Sequence, residues 1–539
     1  MRVMAGQRLA TPRRVSRASG LRASASEARA RTPEHRERPG TLAIRWVLLA
    51  CLAIAAVTLL FPSTPTYDPW AWLLWGREIT HLDLVTEGGP SWKPLPVLFN
   101  IPFSLFGAGA EPYLWLWVAR AGALLSLALA FRLARRMVGR GPAGVIAGVF
   151  AAAFLLTTYQ YVRDSMLGNS EALLAALFLW GFERHLDGRR DHALYLGFAA
   201  ALLRPEVWPF LGLYGLWLFF RDPQLRLRLV LVALAIPVLW FGPELWGSGE
   251  PFRASSRATN PNPGSAAFAD HPGLEVVRRF LARAVIPLQV ATLVAVGYAA
   301  HAWYRRRREG ATLFLFAIAV SWILLVAFMT ELGYAGNQRY LVVTTAAICV
   351  LGGIGVARLF TAIESAVAGR TNSARTGLRV ASAVFVLGLL ALSPVIKSKV
   401  DNVSATLDEL RYEASLWHSL PGAIDRAGGA KRLLACGSVY SGPFQTQMVA
   451  YQLGVHGIEV GALGKLPGPG VTFRTHTVPD GPLVARVTDK RFREVTRAGR
   501  WQVWTAPRAD ARGRSCPSAG AGSPRVKPIA RTPELTSSR

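Results

Sequence analysis

Long apolar runs separated by arginine clusters constrain this 539-residue chain more than any other feature of its sequence. The first run covers residues 41–61, which is about the 20 residues that a helix needs to cross roughly 30 Å of hydrocarbon. Several runs of the same kind follow. Because 51% of the residues are hydrophobic and only 17% are charged, a string of ordinary soluble domains is excluded. The sequence predicts an all-α polytopic membrane bundle.

The apolar runs predict eleven membrane-spanning helices. The block 192–220 is ambiguous, because Arg204-Pro205-Glu206 interrupts it. Proline lacks the N–H that a helix needs, and charges at membrane depth must face protein or water, so we divide this block into two short spans. The predicted spans are 41–61, 113–131, 141–158, 169–182, two within 192–220, 229–246, 284–303, 311–330, 340–357 and 380–396.

The positions of the arginines predict the orientation of the chain. A net charge of +28 in a soluble protein would suggest nucleic acid, but here the positive charge follows the loops between spans, so we expect no nucleic-acid partner. Cytoplasmic loops are rich in Lys and Arg, and eleven spans place the internal clusters on the side of the N-terminus. We therefore predict a multi-pass plasma-membrane protein with a cytoplasmic N-terminus and an extracytoplasmic C-terminal domain.

The segments outside the bundle have compositions of their own. Residues 1–40 are arginine-rich without an apolar run, which predicts a disordered cytoplasmic tail, with an organellar transit peptide as the alternative. Residues 398–507 mix one helical period at 405–427 with short strand patterns, which predicts a small α+β extracytoplasmic domain. Residues 508–539 are a second disordered tail. The predicted strands are 432–436, 471–477, 483–487 and 501–505.

Two of the four cysteines, Cys436 and Cys516, belong to the outer domain and its tail. An extracytoplasmic compartment permits a disulfide between them, but the sequence leaves this pairing open.

The strongest polar constellation lies in the first outer loop, residues 66–96. Asp68, Glu78 and Lys93 stand there among many Trp and Leu residues, and this mixture favours a helix lying in the membrane interface. Asp68 directly precedes a proline and therefore also suits a helix N-cap, so its role stays open at this point.

Further polar side chains stand near the ends of predicted spans on the same face of the membrane. Isolated charges at such positions cost about 2.5–3.5 kcal/mol, which makes them functional candidates by default. The alternative for one pair is structural, with Arg204 and Glu206 fixing the helix break. We expect these groups to converge on one site with the first outer loop. They are Asp164, Glu171, Arg204, Glu206 and Arg339.

In their order and sidedness these motifs resemble the GT-C superfamily of membrane glycosyltransferases. The resemblance covers residues 41–397 and is strongest to the protein O-mannosyltransferase and lipid A aminoarabinose transferase group and to related actinobacterial enzymes. It rests on Asp68 after the first span, the interfacial helix, Lys93-Pro94, the break at Arg204-Pro205-Glu206 and the outer domain. The family usually has an acidic pair in this loop, whereas Asp68 is followed by Pro-Trp-Ala. The resemblance implies a GT-C-like bundle with an outer cavity and a polyprenyl-phosphate sugar donor.

Sugar transfer from a lipid phosphate needs a carboxylate that takes the acceptor proton and cations that stabilise the departing phosphate. We expect Asp68 to be the general base, with inversion at the anomeric carbon. Lys93, Arg204 and Arg339 are the expected phosphate ligands. The supporting or acceptor-binding candidates are Glu78, Asp164, Glu171 and Glu206.

The acceptor could be an extracytoplasmic glycan, lipid or protein. Carboxylate oxygens suit Mg or Mn, so a divalent cation stays possible, although no cofactor follows from the sequence. Two other classes remain open. One is a transporter or lipid flippase with a charged midplane site, and the other is a non-catalytic membrane scaffold.

Overall fold

The computed structural model describes residues 39–139, 141–158, 160–306, 309–462, 469–487, 489–506 and 516–517. The two predicted tails, 1–40 and 508–539, therefore lie almost entirely outside the described residues. The chain divides into the units Met1–Leu49 and Ala50–Arg539, and the sites below belong to the second unit.

Helices form most of the described chain, as the long apolar runs predict. Those of the first half are α1 (Pro39–Thr58), α2 (Tyr67–Thr80), α3 (Pro94–Phe103), α4 (Glu111–Val138), α5 (Pro142–Leu156), α6 (Tyr161–Met166), α7 (Glu171–Leu186), α8 (Arg190–Ala201), α9 (Trp208–Arg221) and α10 (Arg226–Ser248). Those of the second half are α11 (Arg253–Ala258), α12 (Pro272–Arg283), α13 (Ile286–Tyr304), α14 (Gly310–Glu331), α15 (Val342–Thr371), α16 (Ala374–Ala391), α17 (Ser393–Arg426), α18 (Ala430–Leu434) and α19 (Thr446–Leu453).

Ten of the eleven predicted spans each overlap one of these helices, and the last, 380–396, covers the end of α16 and the start of α17. By length and composition, six helices among the described residues could cross a membrane, so the chain is a multi-pass membrane protein, while eleven crossings remain a prediction. The six are Glu111–Val138, Pro223–Ser248, Ile286–Tyr304, Gly310–Glu331, Gln338–Thr371 and Ala374–Ala391.

The block 192–220 forms two helices, as its proline predicts. Helix α8 ends at Ala201, a 3₁₀ turn covers Pro205–Val207, and α9 begins at Trp208. The residue before a proline is driven out of the α conformation, and Arg204 has an extended backbone here. The break therefore turns the Arg204 side chain out of the helical register of α8.

The outer domain contains one mixed sheet. Its strands are β1 (Ser438–Ser441), β2 (Val460–Ala462), β3 (Gly470–His476), β4 (Leu483–Val484), β5 (Arg493–Ala498) and β6 (Trp501–Ala506). The order is β2-β1-β3-β6-β5, with β4 paired to β3. Strand β1 is parallel to both neighbours, whereas β6 is antiparallel to β3 and β5.

The strand predictions were partly right. Strands β3 and β6 lie where the sequence predicts them, and only two residues of 483–487 form a strand, β4. The predicted strand 432–436 is wrong, because α18 occupies most of it and the strand begins only at Ser438. Gly437 lies between them with a φ of 129°, a backbone conformation that residues with a Cβ atom rarely adopt. This glycine allows the chain to change from helix to strand.

Helix α17 runs without interruption across the boundary predicted between residues 397 and 398. It begins at Ser393, within the last predicted span, and continues into the outer domain as far as Arg426. Cys436 and Cys516 are joined by a disulfide, which answers the question that the sequence left open.

The first-loop helix α2 is buried in protein, which corrects the prediction of a helix lying among lipid headgroups. Trp70, Trp72 and Trp75 are each at most 2% exposed. Trp70 packs on Trp417 and Tyr451 of the outer domain, with ring centroids 5.4 and 5.0 Å away. The apolar side chains of α2 therefore belong to a core that the outer domain completes, and this covering could not be read from the local pattern.

Candidate active site

Six charged side chains from five separate segments meet at one place, which we call the Asp68 cluster. They come from the start of α2, the residue before α3, the start of α7, the break between α8 and α9, and the turn before α15. Except for Arg339, each of these residues is at most 8% exposed. The cluster comprises Asp68, Lys93, Glu171, Arg204, Glu206 and Arg339.

Glu171 is the centre of this cluster. Its Oε1 atom forms an ion pair and a hydrogen bond with the Arg204 guanidinium, and lies 3.7 Å from Lys93 Nζ and 4.0 Å from Arg339 Nε. Lys93 also donates to the Ser170 hydroxyl at 3.2 Å. One carboxylate oxygen thus holds three cations together, which would otherwise repel one another.

Asp68 is not the N-cap of its helix. The cap position is Thr66, and Asp68 is the second residue of α2. Its Oδ2 atom lies 3.0 Å from Arg339 Nη2, so the carboxylate faces a cation from the distant 338–341 turn. The sequence left a capping role for Asp68 open. In the structure Asp68 is instead the partner of Arg339.

Arg204 pairs only weakly with Glu206, its neighbour in sequence, at 4.0 Å between Nη1 and Oε1. Its guanidinium lies instead against Glu171 and over the Tyr340 ring, 4.4 Å from the centroid. Lys93 similarly lies 4.9 Å from the centroid of the Trp72 ring. Aromatic faces attract cations, so these rings help to hold both side chains in place.

The hydrogen bonding of the Asp68 cluster is incomplete. Among the described residues, four of its buried atoms have no hydrogen-bond partner: Glu171 Oε2, Glu206 Oε2, Arg204 Nε and Arg339 Nε. Buried polar groups are nearly always satisfied in folded proteins, and unsatisfied ones require an explanation. A bound ligand that accepts hydrogen bonds from the arginines would supply partners for the two guanidinium atoms.

A cavity of about 270 Å³ adjoins the cluster. Glu171 and Arg339 line it on one side together with Asp164, and the Arg339 side chain is 31% exposed. The rest of the wall is partly apolar and partly polar. It includes Phe154, Thr157, Gln160, Phe280, Leu288, Asn337, Val342 and Ile348. Such a cavity suits a group that is itself amphipathic.

Two cations that line this cavity were missed by sequence reasoning. Arg283 ends helix α12, and Lys399 lies in the first part of α17. The only available signal was weak, since each is a basic residue close to a predicted span end. Their approach to Arg339 depends on how the helices pack, which the linear pattern does not contain.

Burial changes the pKa of Lys93, a member of the cluster, and of Asp164, which lies beside it. Both residues are outside the predicted spans. Burial, reinforced by the charge of Arg204, lowers the pKa of Lys93 to about 8. Burial, reinforced by the charge of Glu171, raises the pKa of Asp164 to about 6. Lys93 is therefore only partly charged in weakly alkaline solution, and an approaching anion would favour its charged form.

Glu78 is not in the Asp68 cluster. It stands near the other end of α2, where its Oε1 atom lies 2.9 Å from His456 Nδ1 and its Oε2 atom accepts from the Val85 N–H at 3.0 Å. A second cavity of about 480 Å³ opens beside this pair. The structure thus separates Glu78 from the other predicted site residues.

The donor groups of the Asp68 cluster do not suit Mg or Mn. In the described part of the chain, no group of three or more His, Cys, Asp or Glu side chains is placed to hold a metal ion. Asp68, Glu171 and Glu206 each face an arginine, which competes for the oxygens that a hard cation would need. The chemistry below is therefore derived from the side chains alone.

Comparisons with known proteins give the fold. No protein-family model matches the sequence, and no curated protein is significantly similar to it. Among solved structures, two of ArnT share the overall fold of this chain, as the resemblance seen in the sequence predicts.

Two structures of ArnT, the lipid A aminoarabinose transferase, from Cupriavidus metallidurans carry this result. The structure of ArnT bound to undecaprenyl phosphate matches with a TM-score of 0.51 and 15% identity over 87% of this chain and 99% of that one. The apo structure matches with a TM-score of 0.50 and 16% identity over 88% and 99%.

Proposed function

We propose that this chain is a glycosyltransferase that moves a sugar from a polyprenyl-phosphate donor to an acceptor hydroxyl on the extracytoplasmic side, with inversion. The observation that carries the proposal is the Asp68–Arg339 contact inside a cluster of three cations beside an amphipathic cavity. Its setting is the GT-C fold, and ArnT of this fold has been solved with undecaprenyl phosphate.

The donor phosphate would bind to Lys93, Arg204 and Arg339. These are three cations against the three carboxylates of Asp68, Glu171 and Glu206, so the cluster without substrate is close to neutral when all six are charged. Arginine offers a planar fork of donors that matches two phosphate oxygens, and lysine contributes a point charge. The unpaired Nε atoms of Arg204 and Arg339 are available as donors.

Phosphate binding would also free the base. Asp68 is paired with Arg339, so its Oδ2 atom is occupied by a guanidinium before the donor binds. When a phosphate competes for Arg339, that pairing weakens and Asp68 Oδ2 becomes free to accept a hydrogen bond from the acceptor hydroxyl. Donor binding and activation of the base are in this way linked through one side chain.

In the chemical step, the acceptor oxygen attacks the anomeric carbon while the bond from that carbon to the phosphate oxygen breaks. Its electron pair leaves with the polyprenyl phosphate, and the acceptor proton passes to Asp68. Lys93, Arg204 and Arg339 stabilise the negative charge that grows on the leaving phosphate. A single displacement of this kind inverts the configuration of the sugar.

The acceptor would enter from the 270 Å³ cavity. Asp164 and Glu171 line it next to Arg339, with hydroxyl and amide side chains such as Thr157 and Gln160 close by. Glu171 itself acts as a positioning group, because its Oε1 already holds the three cations. The extracytoplasmic orientation of this face is part of the proposal.

Replacement of the base tests the proposal. Asp68→Asn keeps the size of the side chain but removes the base, so transfer should fall about 10²–10⁴-fold, the usual contribution of general base catalysis. The measurement is a profile of lipid-linked and envelope glycans in cells that carry the native chain or the variant. Loss of one sugar identifies both donor and acceptor.

The matched control is Asp408→Asn, which changes an exposed aspartate of α17. Its glycan profile should equal that of the native chain. An unchanged profile in Asp68→Asn cells, with the variant present in the membrane at the native level, would exclude Asp68 as the base.

A further inference from the structure

The far end of helix α2 contacts the outer domain through Arg77, which donates to the Tyr451 carbonyl, and through His456. His456, in the turn after α19, has its Nδ1 atom 2.9 Å from Glu78 Oε1 and its Nε2 atom 3.3 Å from Asp83 Oδ2. Both carboxylates belong to the first outer loop, and His456 belongs to the outer domain. The imidazole ring thus bridges two parts of the chain that are more than 370 residues apart in sequence.

Both ring nitrogens face a carboxylate oxygen, and this arrangement favours a positively charged ring. A neutral imidazole has one N–H and one lone pair, so one of the two carboxylates would face a lone pair. Only the imidazolium donates from both nitrogens. The hydrogen bond and charge of Glu78, with Asp83 and Glu459, raise the pKa of His456 even though its partial burial acts in the opposite direction.

The remaining charged groups around the ring do not replace this bridge. Arg77 and His81 of the first loop also line the 480 Å³ cavity beside His456. Arg77, however, donates to the Tyr451 carbonyl at 3.1 Å and lies over the ring of the same tyrosine. Glu459 accepts from the backbone N–H of His456 at 2.9 Å and so fixes the turn that carries the ring.

Glu78 and Asp68 lie ten residues apart on the same helix, a distance of about 15 Å at 1.5 Å per residue. The side chains from Trp70 to Trp75 between them are buried and close-packed. A packed helix moves as a unit rather than bending, so a displacement at Glu78 is transmitted to Asp68.

We propose that His456, as an imidazolium between Glu78 and Asp83, is a positioning residue that holds the far end of the Asp68-bearing helix against the outer domain together with Arg77, and that this attachment loosens when the ring loses its proton. The catalytic part of this inference rests on the proposed function above. The structural part, attachment of α2 by a charged histidine, does not.

Amide hydrogen exchange of the full-length protein in lipid nanodiscs tests the structural part. The measured quantity is the exchange rate of the 67–80 segment in His456→Gln divided by that in the native chain at the same pH, which cancels the intrinsic pH dependence. Glutamine retains one donor but never carries the charge. The ratio should be about tenfold at about pH 6 and close to one at about pH 9, where the native ring is neutral as well.

The matched variant is Asp83→Asn, which removes the exposed partner and leaves the buried Glu78 contact. Its exchange ratio at about pH 6 should lie between that of the native chain and that of His456→Gln. A ratio of one for His456→Gln at both pH values would overturn the attachment. A raised ratio that is equal at both pH values would overturn the imidazolium, because a neutral hydrogen bond would then suffice.

Transfer kinetics test the catalytic part. His456→Gln should lower kcat about 10–100-fold at about pH 6, since misplacing a reacting group by about 1 Å can cost about 100-fold. The dissociation constant for undecaprenyl phosphate should be unchanged, because the cations are held elsewhere. A normal kcat beside raised exchange would overturn positioning. If the native chain transfers no sugar, the proposed function fails, while the exchange result still decides the attachment.

Discussion

Two charged clusters at opposite ends of helix α7 are built differently. At its C-terminal end, each carboxylate oxygen of Glu183 and Asp187 faces a guanidinium, and Arg184 is shared between the two carboxylates. Glu183 faces Arg132 at 3.0 Å and Arg184 at 3.3 Å, and Asp187 faces Arg136 at 2.5 Å and Arg184 at 2.8 Å. This is the pattern of a structural ion-pair network, and we call it the Glu183 cluster.

At the N-terminal end of α7 the distribution is uneven. One oxygen of Glu171 is close to three cations, while its other oxygen has no hydrogen-bond partner. A cavity adjoins this end of the helix. The comparison teaches that the number of charges does not distinguish the two clusters. Each cluster has two guanidinium Nε atoms without a hydrogen-bond partner among the described residues, so the difference lies in the carboxylates and in the adjoining cavity. Glu171 Oε2 and Glu206 Oε2 have no hydrogen-bond partner in the described part of the chain, and the cavity gives a ligand access to the Asp68 cluster.

The largest expected difference is in stability. Glu183→Gln removes the partner of Arg132 and leaves Arg184 with Asp187 alone, so the free energy of unfolding should fall by about 3 kcal/mol, the lower end for breaking a buried ion pair. Unfolding of purified protein in detergent, followed by denaturant titration, measures this change. The affinity of the folded fraction for undecaprenyl phosphate should stay at the native value.

The control for that stability change is Asp408→Asn, whose ion pair with Arg411 is exposed and should contribute less than about 1 kcal/mol. Loss of phosphate affinity in Glu183→Gln without loss of stability would show that the two clusters do not have separate roles.

A smaller effect is expected for ligand affinity. Arg204→Met removes a guanidinium from the Asp68 cluster, and a hydrogen bond to a charged group contributes about 1.5–3 kcal/mol. The dissociation constant for undecaprenyl phosphate in nanodiscs should therefore rise about 10–150-fold. Arg358→Met, which removes the partner of Glu309 elsewhere in the bundle, should leave it unchanged. Equal losses in both variants would contradict a specific phosphate site.

The smallest effect is a dependence on pH. The pKa of Lys93 in the free protein is lowered to about 8 by burial, and a bound phosphate raises it again by favouring the charged form. Below about pH 8 the side chain is already protonated, so affinity for the phosphate is constant in this respect. Above it, binding must take up a proton, and affinity should fall by up to about tenfold per pH unit.

Titration of the same affinity in Lys93→Arg provides the comparison, because arginine stays charged throughout this range. The decline above about pH 8 should disappear in that variant. A decline of the same size in both proteins would assign the proton to a group other than Lys93.

Sequence reasoning reached the general arrangement because it depends on local physics. Apolar runs of sufficient length form helices, and Pro205 ends one wherever it occurs, so the helical segments and the break at Arg204 could be predicted. The order of polar groups along the chain likewise indicated a GT-C fold. An isolated charge near a membrane face has a high free-energy cost, so a charged residue there is a functional candidate. This reasoning selected Asp68, Lys93, Arg204 and Arg339.

Partners across the fold could not be predicted in the same way. Nothing local distinguishes Asp68 as an N-cap from Asp68 as the partner of Arg339, since the pattern Asp-Pro is the same in both cases. The sequence groups Glu78 with the other site residues because it is close to Asp68 in the chain. Helix α2 instead places Glu78 at the end opposite to Asp68. The Trp residues of α2 suggested a lipid interface, but protein buries them instead, with Trp70 against the outer domain and Trp72 against Trp115 of α4.

The sequence by itself determined where the chain forms apolar helices and where those helices end. It also identified the charged residues near the membrane face as functional candidates. These properties follow from the composition of short segments. The tertiary structure decided that one oxygen of Glu171 holds three cations, that Asp68 faces Arg339, and that His456 reaches Glu78. The physical reason is that ion pairing depends on separations of a few ångströms between residues far apart in the chain, and only the packing of the helices sets those separations.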